Sequence, residues 1–164
     1  MKKMVSNKKA ISALIATVLL ILITIAAVGI IWGAVMPIIR TNIESSQKCF
    51  DVGLEIKAGG YTCYDGGVNK VKVQVGKGEK PIAISDIQIQ LSSGGTSKSI
   101  RISNATVVDI NTVPGVNEET AYTINLYQLN MDYADAVSVA AVLKIGNTES
   151  MCPAIPAVHL GLCA

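Results

Sequence analysis

Hydrophobic residues follow two different patterns along this chain, one before and one after Cys49. From Ala10 to Ile39 there is no Asp, Glu, Lys, Arg or His. An apolar run of about 20 residues is long enough to cross a bilayer as an α-helix. The first pattern therefore predicts one long hydrophobic helix over residues 11–48. Pro37 should loosen the turn before it, because proline has no backbone N–H to donate.

After Cys49 the apolar residues recur at every second position, which is typical of half-buried β-strands. Val71, Val73 and Val75 alternate with polar residues, and a later alternation slips by one residue across Ser85-Asp86, which indicates a β-bulge. Glycine-rich turn signals separate such segments. Six to eight short strands in an antiparallel all-β sandwich, immunoglobulin-like, are expected over residues 49–164. The predicted fold class is α+β.

Charges around the apolar run predict its orientation in a membrane. The first acidic residue of the chain is Glu44, which follows the run. Under the positive-inside rule the N-terminus stays in the cytoplasm and the chain after Arg40 lies outside. A secretory signal peptide has a shorter apolar core of about 7–15 residues, whereas a signal anchor fits this length. The lysines that precede the run are Lys2, Lys3, Lys8 and Lys9.

The start of the apolar run supports a third interpretation. Lys9-Ala10-Ile11 places a basic residue and a small residue directly before it. This junction resembles the class III signal peptide of archaeal type IV pilins and archaellins, and residues 11–20 resemble the start of their helix. In that family a prepilin peptidase cuts after the small residue, which implies a leader 1–10 here. Bacterial type IV pilins carry a glutamate at the fifth mature position, which is Ile15 in this chain, so the resemblance is to the archaeal branch.

The resemblance implies a structural function. The chain would be a subunit of an archaeal pilus or archaellum, with a lollipop shape and a membrane-inserted precursor. Its partners would be further copies of itself in a helical filament, a prepilin peptidase, and an assembly platform with its ATPase. The alternative is a single-pass signal-anchored extracellular domain that binds or adheres without polymerising. Cleavage at the junction separates the two hypotheses.

Small residues within the run could bring helices together. Ala26, Gly29 and Gly33 lie about one turn apart, a spacing that lets helix backbones approach closely in an apolar environment. The alternative is that glycine is simply frequent in membrane helices.

Net charge gives no support for nucleic-acid binding. The formal charge of the 164 residues is +2, with 14 basic and 12 acidic residues. Four of the lysines belong to the predicted leader, so a cleaved chain would have 10 basic and 12 acidic residues and a net charge of −2. No basic run lies beside aromatic residues after the helix, so no nucleic-acid partner is predicted.

An even number of cysteines beyond the predicted helix indicates disulfides in an oxidising exterior. Loop-closure entropy favours pairs that are near in sequence, namely Cys49–Cys63 and Cys152–Cys163. The alternative joins the C-terminal segment back to the junction of helix and sandwich. A zinc site is the competing hypothesis, but the chain has no Cys-x-x-Cys and a single histidine.

Catalytic chemistry finds little support. His159 and Cys163 could form a nucleophilic pair, but Cys163 is the penultimate residue, where order is least expected. Asp132 and Asp135 could contribute to a loop calcium site, although the acidic residues do not follow an EF-hand spacing. We predict no enzyme, no cofactor and no metal.

Asn104-Ala105-Thr106 matches the N-glycosylation sequon. Archaeal pilins and archaellins are often N-glycosylated, so the resemblance implies that Asn104 carries a glycan. A chain of this size also contains one such triplet by chance.

Overall fold

The computed structural model describes residues 8–163, which form two compact units. The first unit ends at Ile43 and the second begins at Glu44. Residues 1–7, which include Lys2 and Lys3 of the predicted leader, lie outside the described residues, as does residue 164.

The N-terminal region is helical, as the apolar run predicts. Helix α1 spans Lys8–Ile30, a π-helical segment spans Ile31–Val35, and α2 spans Met36–Asp51. Helical structure thus begins three residues before the predicted start and ends three residues after the predicted end at residue 48. At the C-terminal end the turn continues because the Val52 N–H donates to the Lys48 carbonyl at 3.0 Å.

Glycine ends α2 in the usual way. Gly53 has a φ of +58°, a left-handed conformation that favours glycine and stops a helix. A Cβ at Gly53 would lie 3.3 Å from the Cα of Gly78, so the two backbones approach closely here.

Proline accounts for the π-helical segment. Pro37 cannot donate to the carbonyl of Gly33, and its ring crowds that carbonyl. The backbone widens instead, and the Met36 N–H donates to the carbonyl of Ile31, five residues earlier. The predicted loosening of the turn before Pro37 is confirmed.

A β-rich region follows the helices. The described residues contain ten strands and a 3₁₀ turn at Tyr127–Leu129. The strands are β1 (Leu54–Ile56), β2 (Cys63–Asp65), β3 (Lys70–Lys77), β4 (Ile84–Ser93), β5 (Thr96–Arg101), β6 (Glu119–Asn125), β7 (Ala136–Ile145), β8 (Thr148–Met151), β9 (Val158–His159) and β10 (Gly161–Leu162).

Two five-stranded sheets organise these strands. In the first sheet β3 is central, pairing β1 and β2 on one side and β6 on the other, and β10 extends it beyond β2. In the second sheet the order is β5-β4-β7-β8, and β9 also pairs with β7. Strand pairs are antiparallel, as predicted, except that β10 lies parallel to β2. Strands β9 and β10 have two residues each and carry no alternation that a sequence pattern could reveal.

The predicted bulge is present in β4. Its register against β7 shifts between Ile84 and Asp86. The Ser85 hydroxyl donates to the Val142 carbonyl at 2.9 Å and holds the extra residue in place. The bulge keeps Ile87 buried, so the slip in the sequence pattern marked a real change of phase.

Both sheets contribute side chains to one hydrophobic core. The alternating positions of β3, β4, β6 and β7 face it, which explains their period of two. The members from these strands are Val71, Val73, Val75, Ile87, Ile89, Leu91, Tyr122, Ile124, Val137 and Val139.

A smaller cluster lies at the end of α2. Val52, Ala141, Leu143 and Cys152 are its buried members, and Cys49 packs against them. The last turn of α2 is therefore fixed to the second sheet by packing.

The disulfide pairing differs from the one that loop entropy favours. Cys49 is bonded to Cys152 and Cys63 to Cys163, across 103 and 100 residues. Loop entropy applies to the unfolded chain, whereas the sheets bring distant cysteines together. Cys152 directly follows β8, and Cys163 follows β10, which runs beside Cys63 in β2. The preferred pairing of neighbours was wrong, and the C-terminal segment does return to the helix junction.

We predict that Tyr122→Phe destabilises the β-rich region in a pH-dependent way. The buried Tyr122 hydroxyl donates to the Thr112 carbonyl at 2.7 Å, and its removal should cost about 1–3 kcal/mol of unfolding free energy. Burial raises the pKa of Tyr122 to about 12, from 10.0. The stabilising contribution of the protonated hydroxyl is therefore complete below pH 10 and is lost as the pH rises towards 12.

Denaturant titration at a series of pH values measures this difference. The advantage of the wild type over Tyr122→Phe should be constant up to pH 10 and should shrink above it. An advantage that stays constant to pH 12 would contradict the assignment.

Candidate functional site

A continuous run of exposed apolar side chains lies along the helix; the apolar surface of the helix is defined here as the side chains of residues 14–35. They are exposed, among them Leu20 at 65%, Ile23 at 67% and Trp32 at 62%. The mean hydropathy of an 18-residue window reaches 3.0, and none of that window is buried. By length and composition this is the one helix among the described residues that could cross a membrane.

The two hydroxyls on this surface are satisfied within the helix. The Thr17 hydroxyl donates to the Leu14 carbonyl and the Thr24 hydroxyl to the Ile21 carbonyl, each at 2.8 Å. Such bonds remove the cost of placing a hydroxyl in an apolar environment. The surface can therefore be covered by lipid or by other apolar helices.

The predicted packing residues have no partner in their own unit that would require glycine. A Cβ at Gly29 or Gly33 would meet nothing within 4 Å. Ala26 is also exposed. Any packing benefit from these small residues therefore needs a neighbour outside their own unit.

The predicted processing junction lies at the start of α1. The backbone of Lys9, Ala10 and Ile11 is helical, and their side chains lie outside the described part of the structure. By length and composition this helix is suited to be a membrane anchor or a signal sequence, and disulfides such as these are typical of extracellular proteins.

The sequon lies on an exposed turn after β5. The Asn104 side-chain oxygen accepts hydrogen bonds from the Thr106 hydroxyl at 2.6 Å and from the Thr106 N–H at 3.3 Å. Asn104, Ala105 and Thr106 are all exposed. A sugar attached to Asn104 would meet solvent and would not displace the core.

Both ends of this turn are fastened to the sheets. On one side the Ser103 hydroxyl donates to the buried carboxylate of Asp86 at 2.7 Å. On the other side Val107 and Val108 are buried in the core. Nearby, a hydrogen bond from Arg101 to Glu149 raises the pKa of the Arg101 guanidinium, and the charge of Glu149 adds to this. The sequon is thus presented on a defined part of the surface.

The candidate nucleophilic pair, His159 and Cys163, has no free thiol. Cys163 is bonded to Cys63, so its thiol is not available as a nucleophile. His159 lies exposed in β9. In residues 8–163 no group of three or more His, Cys, Asp or Glu side chains is arranged to hold a metal ion. The Asp135 carboxylate instead accepts a hydrogen bond from the Gly94 N–H at 3.2 Å.

One apolar concavity has no clear signature in the sequence. It measures about 490 Å³ and lies beside the end of α2. Phe50 forms one wall and is 89% exposed. The only signal in the sequence was that this is the sole phenylalanine of the chain, placed next to a cysteine at a helix end. The lining residues are Ser45, Ser46, Cys49, Phe50, Met151 and Pro153.

No protein-family model matches this chain, and no curated protein matches it either.

We predict that Asn104 carries a glycan in the natively exported protein. The peptide containing Asn104 should then be heavier than its sequence mass in mass spectrometry of surface material. Asn104→Gln and Thr106→Ala should both remove the added mass, because each destroys the sequon. Thr106→Ser keeps the sequon and should retain it. An unmodified wild-type peptide would refute the prediction.

Proposed function

We propose that this chain is the structural subunit of an archaeal type IV pilus-like or archaellum-like surface filament. A prepilin peptidase would cut between Ala10 and Ile11, and the subunits would polymerise through the N-terminal helix. The observation that carries the proposal is the apolar surface of the helix, which begins a few residues after the Lys9-Ala10 junction and has no cover in its own unit.

Before assembly this surface would be covered by lipid. Helix α1 has 23 residues, about 34 Å in length at 1.5 Å per residue. The hydrocarbon core of a bilayer is about 30 Å thick. The lysines before the run would hold the N-terminus in the cytoplasm, and the disulfide-bonded region would lie outside.

In the filament, other copies of the helix would take the place of lipid. Leaving lipid gives little hydrophobic gain, because acyl chains are as apolar as leucine. Close packing must therefore supply the preference for helix neighbours. Gly29 and Gly33 support this step, because open space at both positions would let a neighbouring backbone approach.

The β-rich region would form the outer sheath. We interpret its two sheets as an immunoglobulin-like sandwich, since both contribute to one core, and the whole subunit as a lollipop. As the family resemblance implies, an assembly platform and its ATPase would extract subunits from the membrane. The subunit itself would need no cofactor or nucleic acid and would not be an enzyme.

A second candidate is a single-pass anchored binding or adhesion domain that does not polymerise. The same uncovered helix favours it, because a lone anchor also presents apolar side chains on every face to lipid. A filament subunit requires cleavage at the junction and close packing between helices, whereas a lone anchor requires neither.

We expect the mature protein to begin at Ile11. Mass spectrometry of the N-terminal peptide from surface material measures this directly. Ala10→Leu would place a large residue before the cut and should leave the precursor uncleaved, whereas Ala10→Gly keeps a small residue and should be processed. A wild-type protein that begins at Met1 or Met4 would reject the filament proposal in favour of the uncleaved anchor.

We predict that Gly33→Leu permits membrane insertion but reduces filament yield by about tenfold or more. A loss of about 1.4 kcal/mol at each subunit contact weakens subunit association about tenfold, and filament yield should fall with it. A Cβ at Gly33 meets nothing within 4 Å, so the subunit itself should fold.

Ala27→Leu is the matched control for this variant. It adds a similar bulk to an exposed position of the same apolar run, but away from the face that carries Gly29. Electron microscopy of sheared surface material and membrane immunoblots measure filaments and insertion. Normal filaments from Gly33→Leu, or an equal loss in both variants, would contradict the role of the small residues.

A further inference from the structure

The end of α2 is connected to the β-rich region by two covalent routes. The backbone continues through Val52 and Gly53 into β1 of the first sheet. The Cys49–Cys152 disulfide leads into the second sheet, directly after β8. The two routes differ in how extensively the strand that each one reaches is paired within its sheet.

The backbone route leads to a weak attachment. Strand β1 has three residues and pairs with β3 alone, from Leu54 opposite Lys77 to Ile56 opposite Val75. Two further bonds flank this pairing: the Gly78 N–H donates to the Gly53 carbonyl at 3.0 Å, and the Lys57 N–H donates to the Gln74 carbonyl at 2.9 Å. A strand this short at a sheet edge can be peeled away by breaking a few hydrogen bonds in succession.

Other contacts at the helix end add little resistance to a pull. Asp51 forms an ion pair with Lys80 in which both side chains are about half exposed, and exposed pairs of this kind contribute little. Ser45 and Ser150 share a hydrogen bond between their hydroxyls. Val52 is buried, but it packs in the small cluster to which Cys152 itself belongs.

The disulfide route leads to the best-paired strand of the region. The Cys152 N–H donates to the Ala141 carbonyl of β7 at 2.8 Å. Strand β8 pairs with β7 over four residues. Strand β7 has ten residues and in turn pairs with β4 from Ala136 to Leu143. Tension that enters through Cys152 is thus shared across the second sheet.

We propose that Cys49–Cys152 is a mechanical tether that transmits tension from the anchoring helix into β7 and relieves β1. Where the helix anchors the chain, a load on the β-rich region that the anchor resists passes through residues 44–49, because these residues join the two units. Without the bond the whole tension would pass through β1. The tether serves a filament subunit and a lone anchored protein alike, since in both the helix holds the β-rich region.

The second disulfide is a matched control. Cys63–Cys163 closes a loop of 100 residues and Cys49–Cys152 one of 103. Their effects on the entropy of the unfolded chain are therefore nearly equal. Cys63 lies in β2, beyond β1, so its bond cannot relieve β1 of tension from the helix. A purely structural role predicts the same mechanical effect for both bonds, and the tether predicts a difference.

Single-molecule pulling on the full chain tests the tether. One handle is attached at the N-terminus and the other is inserted after Gly95, at an exposed turn where added atoms meet open space. The Cys49→Ala/Cys152→Ala variant should show a new first rupture at lower force than the wild type. It should release residues 52–62, about 37 Å of chain. The Cys63→Ala/Cys163→Ala variant should show no such early step.

A second measurement keeps the proposal testable even if a cysteine variant fails to fold. The wild-type chain is held at constant force in dithiothreitol, which cleaves disulfides by thiolate attack. Tension along an S–S bond helps to lengthen it, so cleavage of Cys49–Cys152 should accelerate with force. The tether proposal would be overturned if the early step occurred in both variants or in neither. A cleavage rate that does not change with force would also overturn it.

Discussion

A helix that is apolar on every face must be covered by something other than water, and this requirement limits the surroundings that the helix can have. Residues 14–35 present such a surface, and the few hydroxyls on it are satisfied by the helix itself. The same surface suits lipid and a bundle of like helices, because neither offers water or hydrogen-bonding groups. A transfer from one environment to the other then depends on packing alone, so small residues such as Gly29 and Gly33 can have effects out of proportion to their size.

The β-rich region has a different requirement, which is to hold its own fold together. It has a core shared by two sheets and a second cluster where α2 ends. Both disulfides connect a cysteine near the beginning of the region with one near its end. Each bond thus joins distant parts of the region covalently, one at Cys49 and the other at Cys63.

These two parts are linked by features that would be unremarkable alone. Pro37 and the π-helical turn before it mark the place where the apolar helix changes into the mixed helix α2. Gly53 stops α2 and lets its end approach Gly78. The Cys49–Cys152 disulfide then fixes the last turn of α2 to the second sheet, where the Cys152 N–H is hydrogen-bonded to β7. A pilin-like subunit and an anchored receptor would both need such a junction, so it does not choose between them.

Local pattern in the sequence determined the helix, the strands with clear alternation and the bulge at Ser85, because each depends on the period with which neighbouring side chains face a core or a membrane. The loosened turn before Pro37 was equally predictable, since it follows from one missing N–H. The same local rules cannot find β9 and β10, whose two residues each have no period. Nor can they pair Cys49 with Cys152, because that depends on strands brought together across about a hundred residues. The exposure of Phe50 and the fastening of the sequon turn by Asp86 were likewise decided only by the tertiary structure, since burial depends on which distant segments pack over a residue.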